Sequence, residues 1–202
     1  MRVFLDNIEF KLSEDIIEDD REAIYEEMRK RSLLSNRVIV DIIVDGESVG
    51  DEDTFMSLSG GSEFIFVTKP IRELVRESLQ EGQRYLTSLK SGLDSVATLL
   101  EESRDREAQS NFSLAIEGIR WLTETFNRCC MLLGVTERSL KTGSFERDLK
   151  DLNRALDDIA SSMESGKTMN QAYIIRDKLL PSIGVFSDYW KEISSFLEIP
   201  LQ

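Results

Sequence analysis

Residues 75–100 read VRESLQEGQRYLTSLKSGLDSVATLL, and this stretch decides the fold. Its apolar or small residues recur at alternating intervals of four and three: Val75, Leu79, Gly82, Leu86, Leu89, Leu93, Val96 and Leu100. That rhythm places them on one face of an α-helix for more than three heptads. The stretch therefore predicts a long helix, over about residues 70–103, that must bury one stripe against other helices.

Three later segments carry related stripes, at about residues 106–134, 145–164 and 168–197. Gly134 is expected to end the second helix and Ser144 to cap the third. Thr168 and Gln171 fit a capping box at the start of the fourth. Pro181 lies inside that last pattern, where it removes a backbone hydrogen bond and predicts a distortion near residues 179–180.

The third and fourth segments resemble a copy of the first and second. Residues 86–100 match residues 149–163 at an offset of 63, sharing the pattern L-x-x-L-x-x-x-L-D-x-[VI]-A. Apolar positions of the second segment match the fourth at an offset of 64. Two αα-hairpins, each with one apolar stripe, would bury those stripes against each other. The sequence thus predicts an antiparallel four-helix bundle, built from two duplicated hairpins, over residues 70–202.

The first helix begins about a dozen residues before its counterpart, which leaves an overhang at residues 70–81. Leu74, Val75 and Leu79 lie on this overhang and need a cover, since each buried aliphatic side chain contributes about 1.5–3 kcal/mol. The cover could be the N-terminal domain, the linker at residues 135–143 with Val135 and Leu140, or a second chain, and the N-terminal domain is favoured. A homodimer through residues 70–81 is the next alternative, and the three overhang side chains are then partner-binding candidates.

The first 69 residues alternate between strand and turn signals around one acidic helix, predicted at about residues 17–32. Residues 2–11 indicate a hairpin, and residues 37–44 indicate a strand with Val38, Val40, Ile42 and Val44 on one face. Asp45-Gly46 predicts a tight turn into a short strand. A loop is expected over residues 51–61, followed by a last strand from residue 63 to residue 68.

This order of strand, strand, helix, strand, short strand and strand resembles the β-grasp, or ubiquitin-like, fold. The expected class is therefore α+β, with a β-grasp domain at residues 1–69 before the helical bundle. Modifiers and sulfur carriers of that fold end in a free Gly-Gly. Gly60-Gly61 is internal here, so the resemblance implies no conjugation role, and the two glycines indicate a loop that needs positive φ.

Charge narrows the range of partners. The net charge is −13, and residues 1–69 carry 17 acidic and 8 basic residues, or −9. Residues 70–202 carry 21 and 17, or −4. Nucleic acid and anionic membranes are disfavoured as partners, because both are bound through Lys and Arg. A basic protein partner is favoured, and no apolar run is long enough to predict a membrane span.

The residues that usually carry catalysis or bind metals are scarce. The chain has no histidine, and its only cysteines, Cys129 and Cys130, are adjacent and lack zinc-site spacing. They are expected to be core or flank residues of a protein in the reducing cytoplasm. Asp51, Glu52 and Asp53 are read as a solvated loop rather than a cation site. We therefore predict no catalytic residues, no metal and no cofactor.

Aromatic residues outside the apolar stripes are candidates for binding a partner. Trp121 lies one position before the stripe residue Leu122, and it is read either as a core flank or as an anchor for a partner helix. Tyr173 on the last segment carries the same two interpretations. Leu114 and Met131 would extend a second stripe beside Trp121.

These features favour a non-enzymatic cytoplasmic interaction protein: an adaptor, a scaffold or a chaperone. In size, acidity and helical character the chain resembles the chaperones of bacterial flagellar and type III export. Its arrangement also resembles uncharacterised bacterial proteins in which a short β domain precedes a helical bundle. The alternative is an enzyme or small-molecule sensor that uses a cavity between the bundle helices near Pro181.

Overall fold

Short apolar strands precede long amphipathic helices along the chain, and the protein is accordingly α+β. Its structure, a computed structural model, describes residues 1–12 and 20–197. The chain divides into two units, Met1–Leu74 and Val75–Gln202, which we call the sheet unit and the helical unit. The division lies a few residues after the boundary expected from the sequence.

Five strands form one mixed sheet in the sheet unit, in the order β2-β1-β5-β3-β4. They are β1 Arg2–Leu5, β2 Ile8–Phe10, β3 Arg37–Val44, β4 Glu47–Ser48 and β5 Glu63–Pro70. The neighbours β1 and β5 run parallel, whereas the other pairs are antiparallel. The first hairpin and the strand over residues 37–44 are confirmed as predicted.

The turn between β3 and β4 also follows the prediction. Asp45 and Gly46 both have positive φ, 49° and 90°, which is the backbone that a two-residue hairpin of this kind requires. The Asp45 carboxylate accepts hydrogen bonds from the Ser62 hydroxyl (2.8 Å), the Ser62 N–H (3.0 Å) and the Glu63 N–H (2.9 Å). These bonds, the hydroxyl's foremost, hold the pKa of Asp45 below its usual value.

Strand β3 departs from simple alternation. Its pairing with β5 shifts register between Ile39 and Asp41, so Val40 is the extra residue of a β-bulge. A bulge reverses which side chains face the core. Ile39, Ile42 and Val44 pack on the core, while Val40 is exposed. The expectation that Val40 shares a face with Ile42 was wrong for this reason.

The described part of the sheet unit contains two helices: α1, Arg21–Leu34, and α2, Glu52–Ser57. Asp20 caps α1 by accepting the Ala23 N–H at 3.0 Å, and the first residues of the helix predicted at 17–32 lie outside the described residues. The expected loop at 51–61 contains α2, because Asp51 caps it and Glu52 and Asp53 sit in its first turn.

The core of the sheet unit fills the space between one face of the sheet and the two helices. Its fully buried members are Val3, Ile24, Met28, Ile42, Phe55, Phe64 and Phe66. Phe55 of α2 meets Phe64 and Phe66 of β5 edge-on, at centroid distances of 5.4 and 5.5 Å. Alternate residues of β5 thus point inward, as its sequence indicates.

Four long helical segments follow, as predicted, and they lie in the helical unit except for the first turn of the first one, which belongs to the sheet unit. They are α3 Ile71–Glu101, α4 Asp105–Leu133, α5 Phe145–Glu164, and a last segment formed by α6 Thr168–Ile174, the π-helical turn Ile175–Leu179 and α7 Leu180–Phe196. Gly134 ends α4 with φ 65°, and Ser144 caps α5. Within the residues described, none of the helices combines the length and apolar character that crossing a membrane requires.

The last segment is distorted just before Pro181, as expected, and the distortion takes the form of a π-helical turn. Proline has no N–H for the preceding turn, and its ring crowds that turn's carbonyl. The Leu180 N–H bonds the carbonyl of Ile175, five residues back. The predicted capping box was wrong, because Thr168 is already the first helical residue and Lys167 holds the cap position.

The helical unit's core has an aromatic centre held against a glycine. Trp190 of α7 is 0% exposed, and a Cβ at Gly82 of α3 would overlap its six-membered ring. Phe126 of α4 lies 6.1 Å from Trp190 and stacks on Phe145 of α5 at 4.8 Å. Gly82 was read only as a small residue in the apolar stripe, and the structure shows why it must be small.

The connection between α4 and α5 is fastened to α7. Val135 and Leu140 are buried, and the Glu192 carboxylate accepts the backbone N–H groups of Lys141 and Thr142 as well as the Thr142 hydroxyl. Burial alone would raise the pKa of Glu192, but these hydrogen bonds outweigh it and the pKa is lowered. The ionised carboxylate therefore stabilises the connection.

Replacing Gly82 tests the close approach of Trp190. We expect Gly82→Ala to lower the free energy of unfolding by about 1–3 kcal/mol through overpacking, although alanine favours a helix by about 1 kcal/mol. Gly92→Ala on the same helix is the matched control. No atom lies within 4 Å of its added Cβ, and it should stabilise by about 0.5–1 kcal/mol. Urea unfolding measures both, and a Gly82→Ala protein as stable as Gly92→Ala would refute the contact.

Glu192→Gln tests the fastening of the connection. At pH 7 we expect a loss of about 1 kcal/mol in the free energy of unfolding, since a charged acceptor of three hydrogen bonds becomes neutral. The folded pKa lies below the ordinary 4.5, so the wild type has this stabilisation above pH 4.5 and loses it as pH falls through the folded pKa. Urea unfolding from pH 7 to pH 3 should show the two proteins converging. A difference that is constant with pH would contradict the assignment.

Candidate partner-binding surfaces

A cleft of about 750 Å³ opens in the sheet unit where the start of α1 meets α2 and the loop before β5. Four carboxylates line it: Asp20, Glu22, Glu26 and Glu52. Met56, Leu58 and Phe64 supply apolar walls, and Gly60 and Gly61 form one edge. We call this the acidic cleft. It offers a negative rim beside apolar surface, which suits a ligand that carries both positive charge and hydrophobic groups.

The cleft also holds one cation, and the cation is engaged within the chain. The Arg21 guanidinium lies 4.8 Å from the ring centre of Phe55 and 4.9 Å from that of Phe64. It donates a hydrogen bond to the Gly60 carbonyl. Arg21 thereby ties the Gly60–Gly61 loop to the aromatic core, and its charge is partly satisfied by two ring faces.

Three of the four carboxylates also have partners in the chain. Asp20 caps α1, Glu26 pairs with Arg29 at 2.7 Å, and Glu52 accepts the Tyr25 hydroxyl. Burial and the bond to Glu52 raise the pKa of Tyr25 to about 12. These contacts hold three of the four carboxylates in place at the rim. The four carboxylates together carry more negative charge than Arg21 carries positive charge.

A second groove, of about 410 Å³, lies between α3 and α4 in the helical unit. We call it the aromatic groove, and its lining residues are Glu81, Tyr85, Leu114, Glu117, Gly118 and Trp121. On each helix a glutamate precedes the aromatic residue by four positions, which puts the pair on one helix face. Both glutamates are exposed, and both aromatic side chains are half-buried.

Gly118 determines how the two rings meet. A Cβ at this position would overlap the Tyr85 hydroxyl, so only glycine lets the Tyr85 ring lie against the backbone of α4. The rings of Tyr85 and Trp121 then pack edge to face, 5.4 Å apart and at 74°. The result is a corner with two nearly perpendicular aromatic walls.

The space between the helices beside the π-helical turn is much smaller. A cavity lined by Phe112, Ile159, Gln171, Ile175 and apolar neighbours holds only about 10 Å³. That is about the least a single water molecule needs. This cavity has no room for a small-molecule ligand.

The residues predicted to bind a partner fall into three groups. Trp121 lines the aromatic groove. Tyr173 is 60% exposed and lines a separate depression on α6 with polar residues. Leu74 is half-buried, while Val75 and Leu79 are buried in the single chain, so these two offer no free surface to a partner.

Most of the remaining residues of both surfaces did not stand out in the sequence. Glu81 and Tyr85 were not predicted as neighbours of Trp121, because only the pairing of α3 with α4 brings them to it. The sequence does contain a pattern that could have identified these residues. A glutamate precedes an aromatic residue by four positions on both helices, as Glu81–Tyr85 and as Glu117–Trp121. The sequence does not distinguish the cleft carboxylates from the many other acidic residues of the chain.

Burial keeps both cysteines in their thiol form. Burial raises the pKa of Cys129 to about 11, and burial together with Cys129 raises that of Cys130 to about 12, so both are protonated at neutral pH. Among residues 1–12 and 20–197, no group of three or more acidic or cysteine side chains is placed to hold a metal ion. Asp51 serves as the cap of α2.

Comparisons with known proteins identify the helical unit. No curated protein and no solved structure matches the chain. One family model does match, over residues 77–189, which is more than half of the chain and includes all of the aromatic groove. That family is described as a domain of unknown function, and the chain belongs to it: it is a member of the DUF8042 family.

Proposed function

We propose that this protein is a non-enzymatic adaptor that binds a basic segment of a partner protein in the acidic cleft. The observation that carries the proposal is the cleft itself, with four carboxylates beside Met56, Leu58 and Phe64. A lysine or arginine of the partner would lie among the carboxylates, and a neighbouring apolar residue would pack on the wall. Such mixed contacts are typical of protein-binding surfaces.

The charge of the surrounding unit supports a basic ligand. Residues 1–69 carry a net charge of −9, so the field around the cleft attracts positive segments and raises their association rate. Arg21 does not cancel this attraction, because four carboxylates line the cleft against its single positive charge. Nucleic acid and anionic membranes would meet a repulsive surface.

The finer architecture belongs to the same proposal. The order of strands and helices in the sheet unit supports a β-grasp fold, with α2 as an addition before the last strand. In the helical unit, matched positions of the second and fourth segments share their burial, as Ile119 does with Ile183 and Phe126 with Trp190, whereas in the first and third segments Ala97 is buried and its match Ala160 is exposed. The shared burial supports a four-helix bundle from two copied hairpins, which would act as the scaffold of a cytoplasmic adaptor.

The alternative functions have less support. A sensor or enzyme using a cavity near Pro181 would need more space than the 10 Å³ beside Ile175. A homodimer through residues 70–81 would need exposed apolar side chains there, and Val75 and Leu79 are buried. We therefore advance neither.

Binding of a basic peptide tests the acidic cleft. The probe is a short peptide of alternating lysine and leucine, titrated by calorimetry. We expect Glu22→Gln with Glu52→Gln to weaken binding about five- to tenfold, since each partly exposed ion pair contributes up to about 1 kcal/mol. The loss should shrink at high salt, where exposed charges are screened.

Glu9→Gln with Glu47→Gln is the matched control, because it removes two exposed charges from the same unit outside the cleft. It should weaken binding less than twofold. Equal losses in the two double variants would show that only net charge matters, and failure of the wild type to bind would also overturn the proposal.

A further inference from the structure

We infer that the aromatic groove is a second binding surface, which takes an arginine from an amphipathic helix of a partner protein. The groove lies in the helical unit, and the inference stands or falls independently of the acidic cleft. The argument rests on the ring corner, on two glutamates and on one exposed leucine.

The corner of Tyr85 and Trp121 provides two π faces for a cation. Cations bind most strongly over tryptophan and tyrosine, and the guanidinium of arginine is flat and weakly hydrated, so it stacks well on such rings. Both rings are half-buried, which leaves part of each at the surface. Gly118 holds the corner open by keeping Tyr85 against α4.

Glu81 and Glu117 supply the opposite charge. Neither forms an ion pair with any residue that the structure describes, although an arginine follows each of them three positions later on its helix, Arg84 on α3 and Arg120 on α4. On α4, Arg120 pairs with Glu124 at 4.0 Å. A guanidinium in the groove could donate to either carboxylate while stacking on a ring, and a charge-assisted hydrogen bond of this kind is about twice as strong as a neutral one.

Leu114 sets the spacing of the partner. It is 62% exposed and lies seven residues before Trp121 on α4, about 10 Å along the helix axis. A helix laid along the groove would therefore place an apolar residue on Leu114 and an arginine at Trp121, two turns apart. This is the spacing of a helix-in-groove complex, and the unpaired acids select a basic helix over a neutral one.

Tryptophan fluorescence tests the inference directly. The chain has two tryptophans, and Trp190 is 0% exposed, so a ligand-induced change in emission reports Trp121. The probe is a helical peptide with arginine and leucine seven residues apart, compared with the same peptide carrying citrulline, which has the shape of arginine without its charge. We expect saturable binding with a shift of emission, and about tenfold weaker binding of the citrulline peptide.

Variants separate the groove from general charge. Glu81→Gln with Glu117→Gln should weaken binding of the arginine peptide about tenfold. Asp157→Asn with Glu164→Gln removes as much exposed charge from α5, away from the groove, and should change binding less than twofold. Gly118→Ala keeps both rings and both acids but displaces Tyr85, and it should also weaken binding. Circular dichroism checks that each variant is folded.

The outcomes are decisive in both directions. Equal affinity for the arginine and citrulline peptides, equal losses in the two double variants, or no emission change up to millimolar peptide would each overturn the inference. A Glu22→Gln, Glu52→Gln protein should still show the emission change. If that change disappears with the cleft charges, the peptide binds in the cleft and the groove is not its site.

Discussion

The contact between Trp190 and Gly82 is the constraint on which the helical unit depends. The indole is fully buried and occupies the space that any side chain at position 82 would need. Its Nε1–H finds no acceptor among the described residues, which costs about 1–3 kcal/mol, so the apolar packing must outweigh that cost. Because α3 and α7 meet there, the register of α3 is fixed, and with it the position of Tyr85 one turn further on.

Twice in the helical unit, a glycine in a helix allows an aromatic ring to pack against that helix's backbone. At Gly82 the missing Cβ lets a ring complete the core, and at Gly118 it lets the Tyr85 ring lie across a neighbouring helix at the surface. In both cases glycine's weak helix propensity is offset by a contact that no other residue permits. The core contact stabilises the fold, whereas the surface contact shapes a groove.

Much of this architecture follows from local sequence. The bounds of β3 and α5, the Asp45-Gly46 turn and the distortion before Pro181 could all be predicted, because each depends on residues close in the chain. The bulge at Val40 could not, since it depends on pairing with the distant strand β5. The short helix α2 was not predicted, although its cap Asp51 and its first-turn acids Glu52 and Asp53 are local. Trp121 was identified as a candidate by its place off the apolar stripe. Tyr85 joins it only when α3 pairs with α4.

The two acidic surfaces differ in how their charge is held, and this difference bears on what each can recognise. In the acidic cleft, Asp20, Glu26 and Glu52 already have partners in the chain, so a ligand meets a negative field more than free acceptors. In the aromatic groove, Glu81 and Glu117 are unpaired among the described residues and stand beside rings. A field favours fast association with many basic segments, whereas direct pairing next to a ring discriminates one cation from another. The cleft is therefore suited to attracting a partner and the groove to selecting it.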